Sequence, residues 1–465
     1  MSRLIVEFHD SICRNQLVQV EHLTGCNVEY IVTMVTYIMG GARLENVSEV
    51  SAGVTTKQEK PQRKFFGLSQ NVFVFGFVSM LTDFSSEVTV KTLPLFLANA
   101  LGVKPAIIGF IEGFAETTAT ILKWVFGWLS DRLKKRKWLA FTGYAISNVT
   151  KPFLYFVNTW PWAAFLRFAD RTGKGIRTSP KDALLADSAE RKKLGRSFGY
   201  GNAMDTLGSV FGMLAAAGMI AAGGSALAMT LTRSMYQRLI ILVSIPALLT
   251  LPIIAFFIRE NAPQASNHRT LNLSLRGFDT RFKLFLAIMV IFTLGNSSDA
   301  FLMLKAQRSG LDLVQIFLML AMWKAVTSSL SIPAGILSDR IGRGRVIRLG
   351  WLVYALVYLG FGFATQGWQI WLLYALYGVF YAMTDAVGPA LVADVVPESE
   401  KRGTAYGIYN AAIGISALPA SLIAGILWQY INPSAPFLFG AALAFVAMIA
   451  LTLLMNSDKG AERAL

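Results

Sequence analysis

Long apolar stretches separated by short polar segments dominate the chain from about residue 70 to residue 456. Twelve of them are long enough to cross the ~30 Å hydrocarbon core of a bilayer as helices, which takes about 20 residues. They lie near residues 71–98, 105–130, 138–158, 160–188, 198–222, 238–258, 282–304, 312–338, 346–364, 368–394, 404–428 and 434–455. The stretches are too continuous for the alternating segments of a β-barrel. The pattern therefore predicts an all-α polytopic membrane protein with twelve transmembrane helices.

The two halves of the chain repeat each other at a nearly constant offset. GWLSDRLKKRK at Gly127–Lys137 returns 208 residues later as GILSDRIGRGR at Gly335–Arg345. The string ALLAD that ends at Asp187 returns as ALVAD, which ends at Asp394. Parallel repeats among membrane spans are typical of one class of secondary transporter. We therefore expect two parallel six-helix repeats.

Composition and charge agree with a membrane protein. Hydrophobic residues make up 54% of the chain and charged residues 15%, whereas soluble domains carry about 25% charged residues. If the first span runs outward, the cytoplasmic loops hold 20 Lys and Arg residues and the opposite loops hold 5. The positive-inside rule then predicts that both termini are cytoplasmic. We expect a multi-pass protein of the cell (inner) membrane, with no nucleic-acid partner despite the net charge of +15.

The polar segments suggest how the chain is divided. Residues 1–66 differ from the rest and are predicted to be a disordered cytoplasmic extension. Six-helix bundles are expected at 67–258 and 282–456, joined by a cytoplasmic linker at 259–281 and followed by a tail at 457–465. Both cysteines lie in the extension and the three histidines lie outside the predicted spans. We therefore expect neither a disulfide framework nor a metal or cofactor in the membrane part.

Twelve predicted spans in two similar halves, with Gly-x-Leu-Ser-Asp-Arg after the second and the eighth, resemble the major facilitator superfamily. The resemblance covers roughly residues 70–456 and implies a central cavity and transport by alternating access. It also implies a cytoplasmic latch, in which Asp131 faces the helix starting near Thr404 and Asp339 faces the helix starting near Ser197. The residues assigned to this latch are Gly127, Asp131, Arg132, Gly335, Asp339 and Arg340.

The fourth predicted span is unusually rich in charge. Its string DRTGKGIRTSPKDALLADS also resembles that of a bacterial branch of the superfamily. The spacing places four basic side chains on one helical face: Arg167, Arg171, Lys174 and Lys181. Ionisable groups at that depth cost at least ~2.5–3.5 kcal/mol each, so they must face a watery cavity or charged partners.

Two interpretations of this basic face stay open. In the first, Arg167, Arg171 and Lys174 bind an anionic or zwitterionic substrate. In the second, the basic residues form a gating network with acids such as Asp170, Asp182 and Asp205. For the basic residues near the cytoplasmic end, Arg177 and Lys181, the second interpretation is favoured.

Carboxylates inside the predicted spans are candidates for carrying a proton. Glu87 and Asp299 occupy equivalent places in the first and seventh spans, each after a Ser-Ser pair, and Asp83 lies one turn before Glu87. In the second span, Glu116 aligns with Lys324 in the repeat. Glu87, Asp299, Asp83 and Glu116 are therefore predicted to couple transport to protons. Hydrogen bonds between the halves are the alternative role.

These features favour a monomeric secondary active transporter for a small, anionic or zwitterionic organic solute, with H⁺ as the coupling ion. The chain has no G-x4-G-K-[ST] string that could power a pump. It also lacks the residue clusters expected of an enzyme, so we expect no catalytic activity. An efflux antiporter for drugs or toxic compounds is one alternative. A transporter-like receptor that senses a solute without moving it is another.

Overall fold

The computed structural model describes residues 64–65, 68–133, 135–189, 194–225, 228–260, 275, 277–385, 387–396 and 399–462. The chain divides into two compact units, Met1–Gln62 and Arg63–Leu465. The predicted N-terminal extension lies outside the described residues except for its last few positions, and so does most of the predicted linker. Everything that follows concerns the second unit.

The N-terminal half is a bundle of six long helices. A short antiparallel pair of two-residue strands, β1 (Lys64–Phe65) and β2 (Leu68–Ser69), precedes them. The helices are α1 (Gln70–Asn99), α2 (Pro105–Leu133), α3 (Arg136–Phe153), α4 (Trp160–Ser188), α5 (Leu194–Ile220) and α6 (Arg233–Phe257). A 3₁₀ turn at Leu154–Phe156 ends α3, and a π turn at Ala221–Ser225 ends α5.

The described residues of the C-terminal half form eight helices over six predicted spans, because the seventh and the tenth predicted spans each comprise two helices. The helices are α7 (Thr280–Gly295), α8 (Asp299–Arg308), α9 (Leu313–Ile341), α10 (Arg343–Phe363), α11 (Gly367–Thr384), α12 (Val387–Val395), α13 (Ser399–Tyr430) and α14 (Ala435–Glu462). The break between α7 and α8 follows Gly295, and the Ser298 hydroxyl caps α8 by accepting from the backbone N–H of Ala300 at 3.3 Å.

The all-α membrane fold is confirmed. By length and hydropathy alone, eight of the described segments could cross a membrane, namely Gln70–Asn99, Arg196–Gly223, Arg233–Phe257, Thr280–Arg308, Leu313–Ile341, Arg343–Phe363, Thr404–Tyr430 and Ala435–Met455. The helices outside this set include α2, α3 and α4, which carry ionisable side chains, and α11, which is rich in Tyr and Trp. A count of twelve crossings fits this fold, but the hydropathy of these helices does not establish it.

The two halves meet along α2 and α13, where glycines bring the backbones together. A Cβ atom on Gly113 would lie 2.8 Å from the Cα of Leu418, and one on Gly425 would lie 2.7 Å from the carbonyl oxygen of Pro105. The Thr117 hydroxyl donates to the carbonyl oxygen of Gly414 at 2.7 Å. Small residues therefore set the distance between the halves, as is common between membrane helices.

The halves are also in contact at the end of the bundle away from the repeated motif. We call the end next to Gly127 and Gly335 the motif end and the opposite end the far end. At the far end, the backbone N–H of Leu313 donates to the carbonyl oxygen of Ala228 across the halves at 3.0 Å. Toward the motif end, no described atom lies within 4 Å of a Cβ built on Gly335. The Gly335 position is therefore open, whereas a backbone hydrogen bond joins the halves at the far end.

The close approach of α2 and α13 predicts that side chains cannot replace glycine there. Gly113→Leu should destabilise the protein by about 1–3 kcal/mol, because the added atoms overlap the backbone of α13. Gly218→Leu is the matched control, since no described atom lies within 4 Å of its Cβ position. Thermal unfolding in detergent should show a lower melting temperature for Gly113→Leu only. Equal melting temperatures in both variants would contradict the close packing.

Candidate functional site

Ionisable side chains inside the bundle gather around two adjoining cavities that share Val90 of α1. The first, which we call the inter-half cavity, has a volume of about 240 Å³ and is lined from both halves. Its ionisable lining residues are Lys91, Glu112, Glu116, Asp299 and Tyr381. The second, which we call the basic cavity, has a volume of about 220 Å³ and lies within the N-terminal half. Its ionisable lining residues are Asp83, Glu87, Tyr144, Arg171, Lys174, Arg177, Lys181 and Asp205.

Arg167 lies outside the linings of both cavities, at the centre of an acidic cluster between α2 and α4. Its side chain is 2% exposed, and its guanidinium donates to both carboxylate oxygens of Glu112, at 2.6 and 3.2 Å. Asp170 lies 3.5 Å from Nη1 of Arg167, and Glu116 lies 3.9 Å from Nη2, the nitrogen that also donates to Glu112. A paired and hydrogen-bonded charge of this kind is how a buried ion is accommodated. Its neighbours indicate that Arg167 holds α2 against α4.

Arg171 and Lys174 line the basic cavity. Arg171 Nη2 lies 3.1 Å from Glu116 Oε1, and because Glu116 lines the inter-half cavity, this ion pair lies between the two cavities. Lys174 is exposed and forms no ion pair with any residue that the structure describes. Of the predicted substrate residues, Arg171 and Lys174 are thus brought together.

The basic face continues toward the motif end through Arg177 and Lys181. The Arg177 guanidinium lies over the ring of Tyr144, 4.5 Å from its centroid. Lys181 Nζ donates to the hydroxyl of Ser79 at 3.1 Å. With Arg171 and Lys174, these residues follow one face of α4 at spacings of three and four. Four cations therefore share one wall of the basic cavity.

Two ion pairs join the halves next to these cavities. Lys91 of α1 lies 2.7 Å from Asp299 of α8, and Lys324 of α9 lies 3.6 Å from Glu87 of α1. Both lysine nitrogens lie 5.1 Å from the ring centroid of Trp323. Each of the two equivalent acids therefore faces a lysine of the opposite half. Lys324, which aligns with Glu116 in the repeat, forms its ion pair with Glu87.

Sequence reasoning missed two lysines. Lys91 could have been found, because a lysine within a predicted span is a functional candidate by default. Lys151 of α3 is buried, and its Nζ donates to the Ser86 hydroxyl at 3.0 Å and to the Asn148 side-chain oxygen at 2.9 Å. Asn148 donates in turn to the Thr250 hydroxyl at 2.6 Å. This chain of polar contacts ties α3 to α1 and α6, and its sequence signal was again a lysine within a predicted span.

The predicted latch residues lie at the motif end. The side chain of Asp131 is outside the described set, and Asp339 and Arg340 are exposed. The Gly127 Cβ position is 3.2 Å from the hydroxyl of Ser179, which belongs to the same half. The Arg132 guanidinium lies over the Trp128 ring, 5.5 Å from its centroid.

A repeated ion pair accompanies the motif in both halves. Arg136 pairs with Asp187 in the first half, and Arg343 pairs with Asp394 in the second at 2.6 Å. The residues of each pair are 51 positions apart. The basic tail of each motif copy is thereby joined to the end of the fourth or tenth predicted span.

Among the described residues, no group of three or more His, Cys, Asp or Glu side chains could hold a metal ion.

Comparison with known proteins identifies the family. The family model described as Major Facilitator Superfamily matches residues 75–332 and 285–464. The Uncharacterized MFS-type transporter MJ1317 of Methanocaldococcus jannaschii is 35% identical over 386 residues, which cover 82% of this chain and 94% of that protein. These matches agree with the doubled motif and with the resemblance drawn from it.

Solved structures share the fold at low sequence identity. A POT family transporter in complex with a thioalcohol-conjugated peptide has a TM-score of 0.71 at 13% identity, covering 86% of this chain and 98% of its own. The nucleoside transporter NupG has a TM-score of 0.66 at 13% identity, covering 83% of this chain and 99% of its own. At this identity the likeness establishes the fold.

The Arg167–Glu112 pair predicts an asymmetric response to mutation. Glu112→Ala removes the main partner of the buried Arg167 cation. It should lower the free energy of unfolding by about 3–5 kcal/mol. The double variant Glu112→Met/Arg167→Met should recover most of that stability, because apolar replacements of a buried pair are often neutral. Melting temperatures in detergent measure both effects. A double variant no more stable than Glu112→Ala would contradict this account of the pair.

Proposed function

The chain belongs to the Major Facilitator Superfamily, and we propose that it is a secondary active transporter for a small anionic or zwitterionic organic solute, coupled to protons. Its fold and family are those of a transporter rather than an enzyme. We infer three further things: the substrate class, the coupling ion and the roles of individual residues.

The observation that carries the proposal is the basic cavity. Arg171, Lys174, Arg177 and Lys181 line it from one face of α4. Lys174 and Lys181 form no ion pair within the described part of the chain, so their charges are available to an anion. The cavity volume of about 220 Å³ is below the roughly 300–1,000 Å³ of sites for drug-sized ligands. The basic cavity by itself therefore has the size for a small solute.

The ion pairs between the halves support coupling to protons. A proton on Glu87 would cancel the charge that faces Lys324, and a proton on Asp299 would do the same for Lys91. Proton binding would thereby weaken contacts between the halves, and an ion that binds one conformation better shifts the equilibrium toward it. Asp83, in the lining of the basic cavity, and Glu116, between the cavities, are further candidates.

The distribution of basic residues supports an orientation in the cell (inner) membrane. We assign the motif end to the cytoplasm, so that both termini are cytoplasmic and the basic cavity lies on the cytoplasmic side of the inter-half cavity. In this assignment, Gly127, Asp131, Arg132, Gly335, Asp339 and Arg340 form the cytoplasmic gate of a monomeric transporter. The gate closes when the solute is exposed to the opposite side.

Substitution of Lys174 tests the substrate site. A proteoliposome counterflow screen across organic anions identifies a transported solute, and binding to each variant is then measured. Lys174→Ala and Arg171→Ala should weaken binding roughly tenfold or more, because a charge-assisted hydrogen bond contributes about 1.5–3 kcal/mol. Lys123→Ala is the control, since Lys123 is an exposed lysine of α2 outside both linings. Normal binding with lost transport in Arg171→Ala would favour the gating role instead.

Substitution of Glu87 tests coupling. Glu87→Gln keeps the size of the side chain but cannot ionise, so it should abolish accumulation driven by a pH gradient. Counterflow exchange, which needs no net proton movement, should persist. Glu260→Gln is the control, because its carboxylate accepts from the backbone N–H groups of Arg136 and Lys137 outside the cavities. Accumulation equal to wild type would exclude Glu87 as the proton carrier and move the test to Asp299.

A further inference from the structure

One wall of the basic cavity is built from hydroxyl groups of α1. Ser79, Thr82 and Ser86 line the cavity at spacings of three and four, so they share one face of the helix. The Thr82 side chain is 1% exposed, and its hydroxyl has no hydrogen-bond partner among the described residues. A buried polar atom without a partner costs free energy, so this hydroxyl is available to a water molecule, an ion or a ligand.

Lysines orient two of these hydroxyls as donors. Lys181 Nζ donates to Ser79 Oγ at 3.1 Å, and Lys151 Nζ donates to Ser86 Oγ at 3.0 Å. An ammonium group has only donors, so each serine oxygen must accept. The hydrogen of each hydroxyl is then left to donate to something else. On this side, the cavity wall offers O–H groups.

The α4 wall of the same cavity carries two arginines, each with one nitrogen that lacks a hydrogen-bond partner. Arg171 is 4% exposed and Arg177 is 7% exposed. Within the described part of the chain, Arg171 Nε and Arg177 Nη1 have no hydrogen-bond partner. Lys174 adds an ammonium group to the same wall. Side chains of α1 and α4 that carry unsatisfied donors therefore line one cavity of about 220 Å³.

Acidic residues also line the basic cavity, so its net charge alone does not decide which ligand it binds. Asp83, Glu87 and Asp205 also line the cavity, and Glu87 faces Lys324. Asp83 and Asp205 balance part of the positive charge of α4. The cavity is then distinguished by the number of its hydrogen-bond donors, which come from two helices, α1 and α4.

We propose that the group bound in the basic cavity is the phosphoryl group of a small phosphate monoester. A carboxylate has two oxygens in one plane, with about four lone-pair sites. A phosphoryl group has three strong acceptor oxygens and a charge of about −1.5 to −2 at pH 7, and its oxygens point in three directions. It can therefore accept from the hydroxyls of α1 and the guanidinium groups of α4 at once. This inference rests on the proposed function, in which an anion binds in this cavity.

Binding of matched small anions tests the class of ligand. The full-length protein in detergent, in a chloride buffer free of phosphate and sulfate, is titrated with ethyl phosphate, propionate and succinate by calorimetry. Ethyl phosphate should bind at least tenfold more tightly than the two carboxylates. If propionate or succinate binds as tightly as ethyl phosphate, the phosphoryl assignment is overturned while transport of an anion stands. If none of the three binds, both proposals are overturned.

Two conservative variants test the donors themselves. Thr82→Val keeps the shape of the side chain but removes the hydroxyl, and Arg177→Lys keeps the charge but removes the planar fork that suits phosphate. Each variant should bind ethyl phosphate roughly tenfold more weakly than the wild type does. The preference of the protein for ethyl phosphate over succinate should also fall. Thr92→Val is the control on α1, because its hydroxyl donates to the carbonyl oxygen of Val88 away from the cavity. An unchanged preference in both test variants would overturn the proposal, whatever their melting temperatures.

Discussion

Charge compensation between helices inside an apolar layer is the constraint on which this structure depends. The fourth predicted span carries more charge than a lone membrane helix could tolerate. It is accommodated because α2 presents Glu112 and Glu116 to Arg167 and Arg171, and because the remaining cations face a cavity. The helices that fall short of a membrane-like hydropathy include those that make these contacts. Their position in the bundle is therefore set by electrostatics as much as by apolar packing.

The two halves solve this problem differently. The N-terminal half concentrates ionisable side chains on α1, α2 and α4, whereas the C-terminal half has a cluster of buried aromatic rings around Asp299. The rings of Tyr354 and Tyr358 are stacked at 4.0 Å, and the Tyr377 hydroxyl donates to Asp299 at 3.1 Å. A close-packed aromatic cluster deforms little. The halves thus combine a charged wall with an aromatic one, and the ion pairs of Lys91 and Lys324 cross between them.

The periodicity and length of the apolar stretches were enough to predict the all-α fold, and the repeat was enough to suggest the family. The pairing of charges could not be predicted, because it depends on which face of one helix meets the next. Gly175, for instance, lets α4 approach Ala119 and Leu122 of α2 closely. The break in the seventh predicted span was also missed. Its Ser-Ser-acid triplet matches one within the continuous α1, and the difference lies in the preceding Gly295 and Asn296.

The crossed ion pairs make the two halves unequal. Glu87 and Asp299 are equivalent in the repeat, but their lysines are not, since Lys324 aligns with Glu116 and Lys91 aligns with Met303 at the offset that relates the two acids. Neither lysine has a repeat-related copy that could take its place. Loss of the Lys91 charge would leave Asp299 without its partner from the other half, whereas Glu87 would keep Lys324. The two contacts can therefore be removed one at a time.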